Sequence, residues 1–350
     1  MSTRRGFLTG LLATGLAPVP GWADAGGPVA LSAARDASGA YVLIGLSASA
    51  REVFRLPLPA RGHAGAAHPT RAEAVVFARR PGTYALVLDC RTGEVLTSLR
   101  SPDGRHFYGH GTFSADGELL FTTENDYEAG TGRIAIWDAR RNYARLGDVP
   151  SHGVGPHEIC LMSDGTLVVA NGGIDTHPET GREKLNLPTM RPNLSYVTTS
   201  GVLLDQIEPP HHHASIRHIA VAADGQVGVG MQWQGALLDA PPLVATHRMG
   251  GRWMEHGDGQ SLDGYVGSVA FDKHSAILAV TSPRAGLCQV FDPRESQPQT
   301  TLAAPDACGL AMTEAGLWMT TGHGHVAILT DEARSAAKTD VQFDNHLVPV

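Results

Sequence analysis

The chain has 350 residues, of which 42% are hydrophobic and 18% charged, and its formal net charge is −8. Because the net charge is negative and no basic block occurs, we do not expect nucleic acid as a partner. The 41 Gly and 22 Pro favour many short strands joined by tight turns. Helical periodicity is absent, and a single short helical turn is expected at residues 331–338.

The first 25 residues are typical of a twin-arginine export signal. Arg4 and Arg5 precede a mildly apolar stretch, residues 8–19, which is too short to span a bilayer permanently. Small residues then offer a cleavage site after Ala25. We therefore expect the mature protein, residues 26–350, to be a single domain in the periplasm with no membrane segment.

The four cysteines, Cys90, Cys160, Cys288 and Cys308, form no redox or haem motif. No C-x-x-C pair and no C-x-x-C-H motif occurs, so a c-type haem is not expected, nor is a nucleotide cofactor. An oxidising compartment permits disulfides, but the spacing indicates no disulfide framework. Three of the four lie in apolar strand patterns and are predicted to be buried thiols.

A repeated hairpin predicts the fold. Residues 111–123 contain a strand, an Asp-Gly turn and a returning strand, which is a strong hairpin signal. The unit recurs at residues 159–170 and 219–231, with weaker copies at residues 269–275 and 310–316. Third strands are predicted at residues 84–89, 133–138 and 287–292, and a fourth strand at residues 94–99.

The spacing of the first-hairpin turns predicts the number of blades. Seven such turns occur, at Gly39, Arg71, Gly117, Gly165, Gly225, Ser275 and Gly316. They predict an all-β fold, a seven-bladed β-propeller of four-stranded antiparallel blades. A large β-sandwich is the alternative, but sandwiches lack so regular a repeat. We expect the segment near Val29 to close the ring with strands from the C-terminal end.

Histidines recur at the start of the predicted innermost strands. His63 and His157 precede their turns by eight residues, and His110 and His218 by seven. Cys308 is the equivalent in the last blade, whereas the first blade offers only Ser32 and the sixth only Gly267 or Ser268. Because innermost strands line the central channel, these side chains are predicted to form an arc around its top mouth.

Imidazole is the commonest side-chain ligand of zinc, copper, iron and nickel, so the arc predicts a transition-metal site for iron, copper or zinc. A thiolate from Cys308 would bias it toward softer metals. Eight further histidines map to loops on the same face: His106, His152, His177, His211, His212, His213, His323 and His325. His68, His247, His256, His274 and His346 fall elsewhere. The alternative is that each arc histidine caps an inner strand by hydrogen-bonding a neighbouring blade.

Other polar residues are expected on the same face. The ends of the second strands carry Glu124, Asp126, Asn171, Gln232, Arg284 and His323. The two carboxylates are candidates to complete a metal site or to neutralise Arg217, or they serve only in loop hydrogen bonds.

A long loop in the fourth blade, residues 174–193, adds Arg182, Lys184 and Arg191 to the predicted top face. Long loops without secondary structure often form lids or binding loops, so these cations predict a small anionic ligand. A solvated surface loop is the alternative.

Several long segments also resemble a known family: residues 108–117, 122–126, 151–158, 169–178, 184–192 and 215–218. They are similar to signature segments of the exported bacterial propellers called domain of unknown function 1513. The resemblance covers nearly the whole mature chain and implies a WD40- or YVTN-like propeller. It also implies an association with imelysin-type, iron-handling gene clusters, and hence an imelysin-like periplasmic partner, but no catalytic residue.

Three functions are consistent with these observations. The first is a periplasmic metal-handling accessory protein, related to iron. The second is an enzyme, either a metal-dependent lactonase-like hydrolase with Glu124, Asp126 or Glu158 as general base, or an oxidoreductase. The third is an interaction scaffold with structural histidines.

Overall fold

The computed structural model describes residues 27–181, 183–272, 277–313, 316–329 and 334–350. Within these ranges the chain forms seven antiparallel sheets around a central channel, so the prediction of a seven-bladed β-propeller is confirmed. The predicted export signal and its cleavage site, as well as Arg182, His274 and the turn residue Ser275, lie outside the described residues.

The first three strands belong to the first blade. They are β1 (Ala30–Arg35), β2 (Tyr41–Leu46) and β3 (Glu52–Pro57). Each of the other six blades takes four consecutive strands, which pair in chain order from the innermost to the outermost. The second blade holds β4 (Gly62–Ala67), β5 (Glu73–Ala78), β6 (Tyr84–Asp89) and β7 (Val95–Arg100). The third holds β8 (Arg105–Phe113), β9 (Leu119–Asp126), β10 (Thr131–Asp138) and β11 (Ala144–Pro150).

The remaining complete blades follow the same plan. The fourth holds β12 (Pro156–Leu161), β13 (Leu167–Asn171), β14 (Asn193–Val197) and β15 (Leu203–Ile207). The fifth holds β16 (Ala214–Val221), β17 (Val227–Trp233), β18 (Val244–His247) and β19 (Met254–His256). The sixth holds β20 (Ser268–Phe271), β21 (Leu278–Ser282), β22 (Leu287–Phe291) and β23 (Thr300–Ala303). The seventh holds β24 (Ala307–Thr313), β25 (Gly316–Thr321), β26 (His325–Leu329) and β27 (Arg334–Lys338).

The C-terminal residues complete the first blade. Two short strands, β28 (Gln342–Phe343) and β29 (Val348–Pro349), pair antiparallel with β1. Strand β29 also contacts β4 and β24, the innermost strands of the two neighbouring blades. The end of the chain is therefore the innermost strand of the first blade, and the prediction that C-terminal strands close the ring is confirmed.

This closure corrects the predicted strand alignment of the first blade. Strand β1 is its second strand rather than its innermost one, so the turn at Gly39 joins the second and third strands. Ser32, assigned from the sequence to the innermost strand, lies on β1 and donates a hydrogen bond of 2.8 Å from its hydroxyl to the carbonyl of His346. The assignment of a first-blade inner strand near Ser32 was wrong because β1 has no distinguishing local pattern.

The blades pack face to face through buried apolar side chains. Between the second and third blades, for example, Phe77 and Phe107 are fully buried with ring centroids 5.9 Å apart, and Trp137 packs beside Phe107. Burial of each such side chain contributes roughly 1.5–3 kcal/mol. This packing holds the innermost strands at a fixed spacing around the channel.

Two minor expectations can be compared with the structure. Three cysteines are buried, as predicted, and all four are free. Burial raises the pKa of Cys90 and Cys288 to about 12. The expected helical turn is wrong where it can be checked, because Arg334–Lys338 forms a strand paired with β26; residues 331–333 lie outside the described residues. The described helices are single 3-10 turns, at Pro178–Thr180, Leu187–Thr189 and Leu237–Asp239. In the described part of the chain, no helix has the length and apolar character needed to cross a membrane.

Candidate functional site

The innermost strands are distorted at one level of the channel. Five of them carry a β-bulge there, between Gly62 and Gly65, Phe107 and Gly111, Pro156 and Glu158, Ile216 and His218, and Ala307 and Leu310. The described part of β20 keeps a continuous register. A bulge places extra residues on one strand and re-aims their side chains, and bulges are frequent beside functional sites.

Five imidazoles converge at this level. His63, His110, His157 and His218 come from four adjacent innermost strands, and His346 comes from the closing segment between β28 and β29. The ring centroid of His346 lies 4.4 Å from that of His63, 4.5 Å from that of His110 and 5.0 Å from that of His218. Those of His157 and His218 are 4.9 Å apart. The structure thus brings the four predicted arc histidines together and adds a fifth; these five residues are called the histidine cluster below.

The described residues contain two overlapping groups whose ligand atoms could hold a metal ion. One comprises His110, Glu158, His218 and His346, and the other comprises His63, His110 and His157; within each group the ligand atoms lie within 4.8 Å of one another. A first-row ion at about 2.1 Å from each nitrogen separates its ligand atoms by roughly 3–4 Å. Small side-chain adjustments would therefore bring either group onto one ion.

Glu158 orients two of the imidazoles. Its Oε1 lies 3.4 Å from Nδ1 of His110, and its Oε2 lies 3.2 Å from Nδ1 of His218 and accepts a 3.0 Å hydrogen bond from the backbone N–H of Ile219. Because a carboxylate only accepts hydrogen bonds, it favours a proton on both Nδ1 atoms, which leaves a lone pair on each Nε2. Metal-binding histidines are commonly held in this way by an outer carboxylate.

Four nitrogens of the histidine cluster have no hydrogen-bond partner among the described residues, although Oδ1 of Asp344 lies 4.0 Å from one of them, Nδ1 of His63. They are Nδ1 of His63, Nε2 of His110, Nδ1 of His157 and Nε2 of His346, all buried. An unsatisfied buried polar atom costs about 1–3 kcal/mol. The capping alternative explains the contact of His218 with Glu158 of the neighbouring blade, but it does not explain these four atoms.

Three imidazoles of the histidine cluster, those of His63, His157 and His346, favour the neutral form. Burial, followed by the neighbouring imidazoles, lowers the pKa of His63, His157 and His346 well below the usual value. Burial raises the pKa of Glu158, but the contacts with His110 and His218 outweigh it, so the pKa of this carboxyl is lowered overall. Neutral imidazole is the form that coordinates metal ions.

The histidine cluster separates two cavities. On one side lies a channel cavity of about 360 Å³, whose lining includes His110, Glu158 and His346. On the other side lies a pocket of about 610 Å³, called the upper pocket below, whose lining includes His63 and His157. His218 lines both cavities, so the cluster is accessible from either one.

Three further predicted residues, Lys184, Arg217 and Gln232, line the upper pocket. Cys308 does not belong to either ligand group among the described residues; its Sγ lies 3.2 Å from the carbonyl oxygen of Asp306. A Cβ atom at the adjacent Gly309 would lie only 2.6 Å from the backbone nitrogen of Leu347. The closing segment therefore covers the seventh innermost strand here, and its His346 supplies the fifth cluster position instead of Cys308.

The other predicted residues lie away from the histidine cluster. The carboxylate of Glu124 is paired with both Nη atoms of Arg145, at 2.8 and 2.9 Å. Asp126 lies 3.4 Å from Arg105. These two arginines, from the innermost strand β8 and the outermost strand β11 of the same blade, take up the charge of the two carboxylates.

Asn171, Arg191 and His323 also have other partners. The buried amide of Asn171 hydrogen-bonds Ser151, Asn193 and Ser195, which gives it a structural role. Arg191 is exposed and pairs with Glu208. His323 lines a separate pocket beside Cys308, and its Nδ1 lies 3.3 Å from the carbonyl of Pro305.

Sequence reasoning missed several residues of the two cavities. Arg79 and Arg80 line the upper pocket but were not among the candidates, whereas Arg284, expected on the top face, also lines it. A signal was available for the two missed arginines, since they closely follow the second strand of the second blade, whose end lies on the top face. His346 had no comparable signal, because its place depends on how the ring closes.

Comparisons with known proteins show the family and the fold. Residues 56–350 match the family model described as "Protein of unknown function (DUF1513)". No curated protein matches the chain. A solved structure of Kuenenia stuttgartiensis hydrazine synthase is similar with a TM-score of 0.60 and 13% identity, covering 86% of this chain and 89% of that one, which indicates a shared fold alone. Because the family match spans most of the sequence, the chain belongs to the DUF1513 family.

Proposed function

We propose that this protein binds a first-row transition-metal ion at the histidine cluster and handles iron, copper or zinc as a periplasmic accessory protein. One observation carries the proposal. Buried nitrogens of His63, His110, His157 and His346 lack hydrogen-bond partners among the described residues and lie among rings whose centroids are 4.4–5.6 Å apart. A metal ion would satisfy several of these atoms at once.

The ligands differ in importance. His110 belongs to both candidate groups, so it is the expected central ligand, with His346 as its nearest neighbour outside the regular blades. Glu158 acts from the outer shell by holding Nδ1 of His110 and of His218. A set of imidazole nitrogens without a thiolate suits zinc, copper or iron(II). The softer bias expected from Cys308 is not part of this proposal.

The periplasmic assignment is supported by the twin-arginine pattern at Arg4 and Arg5. This pathway exports folded proteins, so a metal ion enclosed in the channel could be loaded before export. Secretion that depends on both arginines, followed by fractionation, tests this part of the proposal; cytoplasmic retention of the wild-type protein would contradict it.

The metal site is tested by inductively coupled plasma mass spectrometry on untagged protein purified from the periplasm. We expect near-stoichiometric metal in the wild type and its loss in the triple variant H63A/H110A/H346A, with folding checked by circular dichroism. The matched control H211A/H212A/H325A removes three exposed histidines and should retain the metal. Metal-free wild type after incubation with each ion, or equal metal in the two folded variants, would contradict the proposal.

A further inference from the structure

The upper pocket has a concentrated positive charge. Six cationic side chains are part of its lining: Arg61, Arg79, Arg80, Lys184, Arg217 and Arg284. No aspartate or glutamate belongs to the described lining. This local charge contrasts with the formal net charge of −8 for the whole chain. The pocket is therefore electrostatically suited to an anion, whatever occupies the histidine cluster.

Half of these cations have no carboxylate partner in the described part of the chain. Arg61 and Arg79 share Asp344, at 2.6 and 3.4 Å. In contrast, Arg80, Lys184 and Arg284 form no ion pair with a described residue and contact neutral groups instead. Arg80 donates a hydrogen bond to Thr176 and lies over the ring of Tyr108. Lys184 donates a hydrogen bond to Gln234, and Arg284 lies over the ring of Tyr265.

A buried neutral group also lacks a partner in the upper pocket. Tyr108 lines the pocket and is 1% exposed, yet its hydroxyl has no hydrogen-bond partner among the described residues. A phenol hydroxyl beside cations can donate to a bound anion, as the arginines do. This observation is independent of the charges and also indicates a polar ligand.

The distribution of the unpaired cations restricts the shape of that ligand. Arg80 follows β5 in the second blade, Lys184 lies in the long loop of the fourth, and Arg284 follows β21 in the sixth. Partial burial, followed by the charges of Arg217, Arg284 and Arg80, lowers the pKa of Lys184, so these groups repel one another across the pocket. A compact anion with one charged centre would contact only some of these cations, whereas a molecule with charged groups at several ends would contact all three.

We propose that the upper pocket binds a small di- or tricarboxylate, with its carboxylates at Arg80, Lys184 and Arg284 and its carbon skeleton against Tyr265 and Trp233. Guanidinium groups match carboxylates in shape and charge, and the aromatic side chains of the lining supply apolar surface. The ligand would lie directly over His63 and His157, which line the same pocket. This proposal does not depend on a metal ion in the histidine cluster.

The test is isothermal titration calorimetry of metal-free, chelator-treated protein with tricarballylate. We expect one binding site whose affinity falls as salt is raised. In the double variant K184Q/R284Q, which changes two exposed side chains, affinity should fall at least tenfold, since each lost charge-assisted hydrogen bond is worth about that factor or more. The control R191Q changes an exposed arginine of the same loop, already paired with Glu208, and should stay within about twofold of wild type.

The outcomes separate this proposal from the metal proposal. Unchanged tricarballylate binding in a folded H110A/H346A variant, whose two substituted residues do not line the upper pocket, would support an anion site that stands without metal. The proposal is overturned if the wild type does not bind tricarballylate, or if K184Q/R284Q binds as tightly as wild type. It is also overturned if inorganic phosphate binds as tightly as tricarballylate, because the site would then recognise a compact oxyanion.

Discussion

His110 illustrates how much of the site depends on single residues. Its Nδ1 faces Glu158 at 3.4 Å, its Nε2 is buried without a protein partner among the described residues, and it belongs to both groups of candidate ligands. His63, His110, His157 and His218 could be predicted from the sequence because each stands at a nearly constant distance before a repeated turn. Glu158 follows His157 in the sequence, but its orienting role depends on contacts with two other blades, which no local pattern encodes.

The first prediction concerns Glu158. In E158Q an amide replaces the carboxylate, so one of the two acceptor oxygens becomes an NH2 donor and His110 and His218 can no longer both be held with a proton on Nδ1. We expect metal affinity to fall about 10–100-fold, as is typical when an outer-shell partner is removed. Competition with a chromophoric chelator measures the change, and E94Q, at an exposed glutamate, is the control. Wild-type affinity in E158Q would show that Glu158 does not support the site.

The second prediction concerns the glycine that lets two blades approach each other. Gly109 has a φ of 101°, and a Cβ atom there would lie 2.5 Å from Cδ2 of His63. We expect G109A to displace His63, to weaken metal binding and to lower the free energy of unfolding by about 1–3 kcal/mol. G165A is a matched control, since Gly165 also has a positive φ but a Cβ atom added there would meet nothing within 4 Å. Equal effects of the two changes in urea unfolding would contradict this account.

At the scale of elements, the way in which the C-terminal strands close the ring could not be predicted in detail from the sequence, and it determines which side chains reach the channel. Strands β28 and β29 have two residues each and carry none of the repeated hairpin features, so His346 could not be assigned to the channel. The same closure covers Gly309 and leaves Cys308 outside the candidate ligand groups. The five β-bulges are equally invisible in the sequence, although they set the direction of the channel side chains.

The third prediction separates the structural and the chemical roles of this segment. A chain that ends after Asp340 lacks the innermost strand of the first blade and exposes β1, so we expect loss of cooperative thermal unfolding. H346Q keeps the strand and should retain a cooperative transition while binding metal more weakly. A truncated chain that unfolds like wild type would contradict the assigned closure, and unchanged metal affinity in H346Q would exclude His346 as a ligand.

At the scale of the whole molecule, the ring assembles groups that are far apart in the sequence. The fold was predictable because seven hairpin turns repeat along the chain. The positive upper pocket was only partly predictable: Lys184 and Arg217 were candidates, whereas Arg80 and Arg284 meet them only when the second and sixth blades are placed in the ring. Net charge alone would not have indicated this pocket, since it averages over the entire surface.

The central claim is that a metal ion binds among the imidazoles inside the channel. Anomalous diffraction from crystals of the zinc-loaded protein, measured on both sides of the metal absorption edge, tests it most directly. We predict a peak in the histidine cluster, about 2.0–2.1 Å from Nε2 of His110 and from at least two further cluster nitrogens. A peak found only at the exposed histidines His211 and His212, or no peak in the channel of a fully loaded crystal, would contradict the account.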